Sequence, residues 1–380
     1  MDTADILLAG PRGRRLLLAF ALEGDRLHEA ADPDDTLFSA VMLASYHLDP
    51  GRGRSVVLFG PGAEDAEGTV VTAEEVASRL AQTPLPEVTP VGLRWALADA
   101  VDSARYWQEP EGKDVLAATE PVRRELRRVA EHIARSPHTD WWTTGPAATA
   151  QCTVWSWGVD GPGHPVPAAS TLAEQLRSWR KRTVAEEERA ARERPADPTA
   201  NFSAVWWSTP PTRSSTRQLP GGTPAELWFV EDRTIGEQAV TRRVHVPAEA
   251  RVYELDSARA WAALCAQFPL EVTAQKRHDW YRTTGRAGRW VVPDWTRVAA
   301  EYAGVHLTVT GYLTAAGTAI DTTAGAASVI AGWAPDATYW LTDTAGFDGD
   351  TRTWVCDTTG ERPRWTDAGD RSAQRSAPEA

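Results

Sequence analysis

A chain of 380 residues that is 42% hydrophobic can bury a sizeable core and has room for two or three domains. Its 40 Lys and Arg against 52 Asp and Glu leave a formal charge of −12, which repels phosphate backbones and speaks against unassisted nucleic-acid binding. Three cysteines far apart, Cys152, Cys265 and Cys356, spell neither a disulfide framework nor a zinc motif, and suit a reducing cytoplasm.

Residues 1–160 read as an α/β domain. "RRLLLAFALEGD" places an apolar run, Leu16 to Leu22, behind three arginines. It is seven residues long and closes on Glu23 and Asp25, so it is expected to be a buried strand and not a secretory signal. "RSVVLFGPG" reads as a second strand. Between them "DDTLFSAVMLASYHL" puts Leu37, Val41, Ala44 and Leu48 on one helical stripe. Three more helices announce their starts: Thr72 with Glu75 as a capping box, Thr89-Pro90 before "VGLRWALADAV", and Thr119 ahead of Val122, Leu126, Val129 and Ile133.

Residues 161–200 read as a Gly/Pro loop, "GVDGPGHPVPAAS", and a charged helical connector. The connector's first half carries Leu172, Leu176 and Trp179 on one face and should dock; from Ala185 to Arg194 it is nearly all charge and Ala, the mark of a solvated helix. Pro195 to Thr199 is the expected boundary, and 367–380 has nothing to bury and reads as a loose tail.

Residues 201–366 are dominated by strand signals: "SAVWWSTP", "AELWFVED", "TRRVHVP", "ARVYEL", "RWVVP", "VHLTVTGYL", "ATYWLTD" and "RTWVCD". Two helical stretches, "DSARAWAALCAQF" and "DWTRVAAEY", interrupt them. The fold class is therefore an α/β domain followed by an α+β domain with a mostly antiparallel sheet. Nowhere does an apolar segment approach the roughly 20 residues of a membrane span. "DWWTTGPA" and "VWWSTPPT" echo each other, but too briefly to make a repeat.

Phosphate-loop, dinucleotide-loop, HExxH and GxSxG motifs are all missing, and the eight histidines are scattered, so no metal is expected. Three places could carry chemistry. In "KRHDWYRTTGRAGRWVVPDW", Arg282 and Arg286 flank a Gly-bearing turn that could cradle an anion or pyrophosphate, and Trp280 and Tyr281 offer stacking faces. By ordinary burial preferences the same stretch reads first as sheet-packing tryptophans beside an exposed loop. In "GVHLTVTGYL", a strand would put His306, Thr308, Thr310 and Tyr312 on one face, with His306 the titrating member. In "WWSTPPTRSSTRQLPGG", a cation-bearing loop with Arg213 and Arg217 either gates a site or is a plain surface connection.

The order in the third part, "AVWWSTP", loop, "ELWFVEDR", "RRVHVPAEARVYEL", then helix and further strands, resembles the ADP-ribosyltransferase fold over 201–345. The resemblance implies NAD as cofactor: Trp207, Ser208 and Thr209 on the first strand, Arg213 or Arg217 at the phosphates, and an acid on a late strand orienting the ribose. There is no Glu from Leu307 to Thr359, so Asp336 and Asp343 hold the comparable place, with His306 as a further catalytic candidate. The Arg- and Ala-rich, Lys-poor usage is similar to that of Trp-rich proteins from high-GC actinobacteria. The expectation is a cytoplasmic protein that takes NAD or another nucleotide-type anionic ligand. The alternative is a non-catalytic protein-interaction module with a Trp/Arg surface, toxin- or immunity-like roles included.

Overall fold

The computed structural model describes residues 3–27, 36–60, 62–156, 170–232, 238–322 and 325–369. Most of the Gly/Pro loop (158–169), the tail from 370 and the side chain of Cys152 lie outside them. The N-terminal region is helical: α1 (Thr3–Ala9), α2 (Pro11–Arg26), α3 (Leu37–Leu48), α4 (Ala63–Gly68), α5 (Ala73–Gln82), α6 (Pro90–Asp102), α7 (Gly112–Ala118) and α8 (Glu120–Ala134). The expected starts are present: Thr72 and Glu75 form a reciprocal capping box, Thr89 accepts from Gly92 N–H, and Val122, Leu126, Val129 and Ile133 of α8 are all buried. Each such apolar side chain contributes about 1.5–3 kcal/mol on burial.

The two strands expected in this region are absent. Residues 14–23 belong to α2, whose Leu16, Leu17, Leu18, Phe20 and Ala21 are buried on several sides at once. A helix enclosed all round shows no 3.6-residue stripe, so its apolar run looks like a strand. The usable signal was Pro11 at the first helical turn. Residues 54–60 form no strand: apart from one bridge, Arg52 to Val56, nothing pairs with them among the described residues, and Phe59 is exposed.

From Thr149 onward helices alternate with short strands. In chain order they are β1 (Thr149–Ser156), α9 (Leu172–Glu193), β2 (Ser214–Ser215), β3 (Gln238–His245), β4 (Val252–Leu255), α10 (Ala258–Gln267), β5 (Pro269–Glu271), α11 (Thr273–Thr284) and β6 (Arg289–Pro293). They continue with α12 (Trp295–Val298), β7 (Gly304–Leu307), α13 (Val309–Ala315), β8 (Ile320–Asp321), β9 (Ala326–Ser328), β10 (Thr338–Trp340), β11 (Gly346–Asp357) and β12 (Arg364–Asp367). Three four-stranded sheets result, ordered β1-β3-β11-β12, β2-β10-β7-β4 and β5-β6-β9-β8. Pairing is antiparallel except for β4 with β7 and β6 with β9, so the sheets are mostly antiparallel.

Three local expectations change. "SAVWWSTP" is extended but joins no ladder, and "AELWFVED" opens with a 3-10 turn, Ala225–Leu227. "VHLTVTGYL" is a strand only to Leu307; Thr308 then caps α13 by accepting from Gly311 N–H at 2.9 Å. His306 and Tyr312 therefore do not share a strand face. The charged half of α9 is not simply solvated either. Glu187 accepts from the N–H groups of Ala274 at 2.6 Å and Gln275 at 3.0 Å, capping α11 from another element, and Ala190 is buried.

One hydrophobic cluster runs from α1 to β12, and α13 is where the helical and sheet-bearing regions meet, packed on both α1 and α2. The approach is backbone to backbone: a side chain at Gly10 would place its Cβ 2.2 Å from Leu313 O. Six tryptophans, Trp261, Trp280, Trp290, Trp295, Trp333 and Trp340, are fully buried in the C-terminal half. Among the described residues no helix is long and apolar enough to cross a membrane.

Candidate functional site

The residues of "KRHDWYRTTGRAGRW" are engaged from within. They lie mostly on α11, which Gly285 ends in the left-handed conformation at φ 70°. Trp280 is fully enclosed, donates Nε1–H to Trp206 O at 2.8 Å, and meets Trp290 edge-on at 5.2 Å. Arg282 donates to Trp107 O at 2.8 Å, Phe202 O at 2.8 Å and the Asp279 carboxylate at 2.6 Å. Arg286 donates to Arg289 O at 3.0 Å and Gly325 O at 2.8 Å while lying over Trp290. Tyr281 is half-buried. The forks expected to hold phosphate thus tie α11 to neighbouring backbone.

Other candidates do come together. Arg217 donates Nε–H to Asp336 Oδ1 at 2.6 Å, its backbone N–H to Asp336 Oδ2 at 2.9 Å, and Nη2 to both Thr144 Oγ1 and Gly145 O. His306 is enclosed beside this pair, its Nδ1 2.9 Å from the Thr338 hydroxyl. Burial, with the Arg217 charge second, pulls His306 down to about 4, so its imidazole is neutral at pH 7. Burial pushes Asp336 up to about 6 despite Arg217. Asp336 also sits at φ 66°, a left-handed backbone rare for a non-glycine residue. Asp343 is exposed and takes no part. Ser208 is a buried cross-link, accepting from Ala331 N–H and Trp333 Nε1–H at 3.1 Å each. Thr209 and Arg213 are half-buried, and Trp207 is 47% exposed.

The Arg217 guanidinium lies 4.9 Å from the ring centre of Trp141, and Trp141 is a wall of a pocket. This pocket, about 200 Å³, opens where the start of α6, the Trp141-Trp142 pair and the loop through Leu219 and Pro220 converge over Phe229. Leu93, Leu97, Pro137 and His138 are also among its walls, and among the described residues no carboxylate lines it. The one strong charge inside is Arg94. Thr89 and Pro90 start α6 so that Arg94 falls one residue past the buried Leu93, half-buried at the pocket wall.

Arg94 is unlike the other arginines described above. Its guanidinium stacks 4.0 Å from the ring centre of Trp228, which stands edge-on to Trp95 at 5.1 Å. Its Nε is buried without a hydrogen-bond partner, and among the described residues no acid pairs with it. Burial alone lowers its pKa, with no carboxylate to offset it. A cation so placed, with aromatic walls and no counter-ion, is arranged to receive an anion. Sequence reasoning passed over Arg94, because only the fold joins positions 90–97, 137–142, 219–220 and 228–229. In the sequence the Trp141-Trp142 pair stands out only as half of the echo with Trp206-Trp207.

Among the described residues no group of three or more His, Cys, Asp or Glu side chains is placed to hold a metal ion. No protein-family model, no curated protein and no solved structure matches this chain.

Proposed function

We propose that the protein binds a small, flat organic anion, of the size of a single-ring carboxylate, in the aromatic pocket at α6. The observation that carries this reading is the half-buried Arg94, stacked on Trp228 and without an ionic partner. The carboxylate meets the guanidinium fork, and the ring lies among Trp141, Trp142 and Phe229. At about 200 Å³ the cavity lies below the range of ~300–1,000 Å³ usual for larger ligands, which limits it to a small molecule or to one end of a larger one.

Thermal-shift and calorimetric titration with benzoate, 4-hydroxybenzoate and nicotinate, against benzamide and nicotinamide, tests the reading. The acids are expected to stabilise the protein, the amides not, and Arg94→Met to abolish the effect. Silence of all three acids, or equal binding by the Arg94→Met variant, overturns it.

The NAD-dependent reading suggested by the ADP-ribosyltransferase resemblance is favoured by one observation, the meeting of Arg217, Asp336 and His306. It would use Arg217 at a phosphate and Asp336 near the ribose. Release of nicotinamide from NAD, lost in Asp336→Asn, is its test. For the interaction-module alternative the supporting feature is the exposed pair Val205 and Trp207.

A further inference from the structure

A second and larger cavity, about 770 Å³, lies along α2 and α6, away from the aromatic pocket. It is lined by the apolar Leu18, Leu22 and Trp95 and by two charged groups, Arg15 with Asp99 and Lys113, and Glu23 with Arg362.

Lys113 is one of only three lysines in a chain with 40 basic residues. Lys276 is buried and donates to Val205 O and Trp207 O at 2.7 Å, while Lys181 is exposed on α9. Lys113 is neither. It lines the cavity, and among the described residues its amine has no hydrogen bond and no ion pair. The cause is visible around it: the acids that would pair with it are taken by arginines. Arg15 holds Asp99 and Glu111, each at 3.3 Å, and Asp114 at 3.5 Å; Arg12 binds Asp114, and Arg105 binds Glu111. Burial first, and the Arg15 charge second, lower the Lys113 pKa below that of an ordinary lysine. Desolvation next to another cation is how proteins keep an amine neutral and nucleophilic.

We propose that Lys113 is the nucleophile of this cavity and condenses with the carbonyl group of an aldehyde or ketone whose apolar body lies along Leu18, Leu22 and Trp95. The amine nitrogen attacks the carbonyl carbon, forming the C–N bond as the C=O π pair moves to oxygen. Both protons of that nitrogen leave with the oxygen as water, one on forming the carbinolamine and one on expelling the hydroxyl, giving a neutral imine. Asp99, which also lines the cavity and accepts from Arg15 through Oδ2, carries the proton from nitrogen to the departing hydroxyl in this scheme. No oxidant or reductant is consumed. The site is independent of Arg94 and stands or falls apart from it.

The test is reductive trapping on the full-length protein with an aromatic aldehyde, 4-methoxybenzaldehyde, and an aliphatic one, octanal, each with cyanoborohydride at pH 7. Peptide mass spectrometry then reports the rate at each of the three lysines. A lowered pKa leaves more of the amine neutral at pH 7, and the cavity holds the aldehyde beside it, so Lys113 is expected to be labelled several-fold faster than the exposed Lys181. Lys113→Arg should remove that adduct and leave Lys181 labelling unchanged. The wild-type comparison needs no variant, and Ala19→Leu, which narrows the cavity, should slow Lys113 alone. Labelling of Lys181 as fast as Lys113, or no effect of Ala19→Leu on either, overturns the proposal.

Discussion

Asp336 grips Arg217 from two directions, accepting the guanidinium Nε–H at 2.6 Å and the backbone N–H of the same residue at 2.9 Å. The loop through Arg217 is thereby fixed against the turn before β10, and Arg217 in turn reaches Thr144 beside Trp141. Arg217→Met would leave a carboxylate that is 3% exposed without its cation. The expected loss is about 3 kcal/mol, the lower end of what breaking a buried pair costs, since the arginine keeps a wet edge. Urea unfolding of Arg217→Met, Asp336→Asn and the double variant measures it. The double variant should lose less than the sum of the two singles.

Glu231 gives a pH dependence. Burial pushes its carboxyl up from 4.5 to about 8, against the opposing pull of the Gly332 N–H, Tyr312 and Arg12. Between those two values the folded chain holds a proton that the unfolded chain has released. The stability from this group is therefore complete below pH 4.5 and is lost as pH rises through about 8. Glu231→Gln, neutral throughout, should melt at a higher temperature than wild type at pH 9. The difference should shrink toward pH 6, and equal melting curves at pH 9 would count against a protonated Glu231.

The cap that α9 provides for α11 is also measurable. Val272 at the α11 N-terminus has no side-chain cap of its own, and Glu187 supplies one. Glu187→Ala is expected to cost about 1–2 kcal/mol in denaturant unfolding, the usual range for a lost N-cap. Amide exchange at Ala274 and Gln275 should rise with it. Unchanged protection there would mean that water satisfies those groups equally well.

Gly317 tests the fit of the two regions. It sits at φ 73°, and a Cβ there would meet Tyr106 Cε1 at 2.2 Å. Gly317→Ala combines a left-handed backbone with an overpacked ring, so a loss of at least ~2 kcal/mol is expected in thermal unfolding.

Local chemistry was readable in the sequence where one segment decides the outcome. Thr72 with Glu75 and Thr89-Pro90 each mark a helix start by themselves, and β4, β6 and β10 lie within stretches whose branched and aromatic residues announce strands. Features set by tertiary contact were not readable. α2 is apolar on several faces because α6, α7 and α8 surround it, and that enclosure removes the stripe that identifies a helix. In α13, Val309, Thr310 and Tyr312 favour a strand, yet the Thr308 cap and packing on α1 and α2 win. Arg94 looks ordinary in "VGLRWAL" because Trp228, its stacking partner, is 134 positions away. The sequence singled out Arg282 and Arg286, whereas the unpaired guanidinium is on α6.

The seating of Gly10 against Leu313 has a consequence for synthesis. The faces of α1 and α2 that meet α13 have no partner until residue 315 has been made. At about 5–20 residues per second, that wait is roughly 15–60 s. During it these two helices leave the ribosome with apolar surface unmatched, a natural stopping point for a chaperone. Nascent chains stalled at residue 160 should therefore retain chaperone that chains stalled well past 315 release.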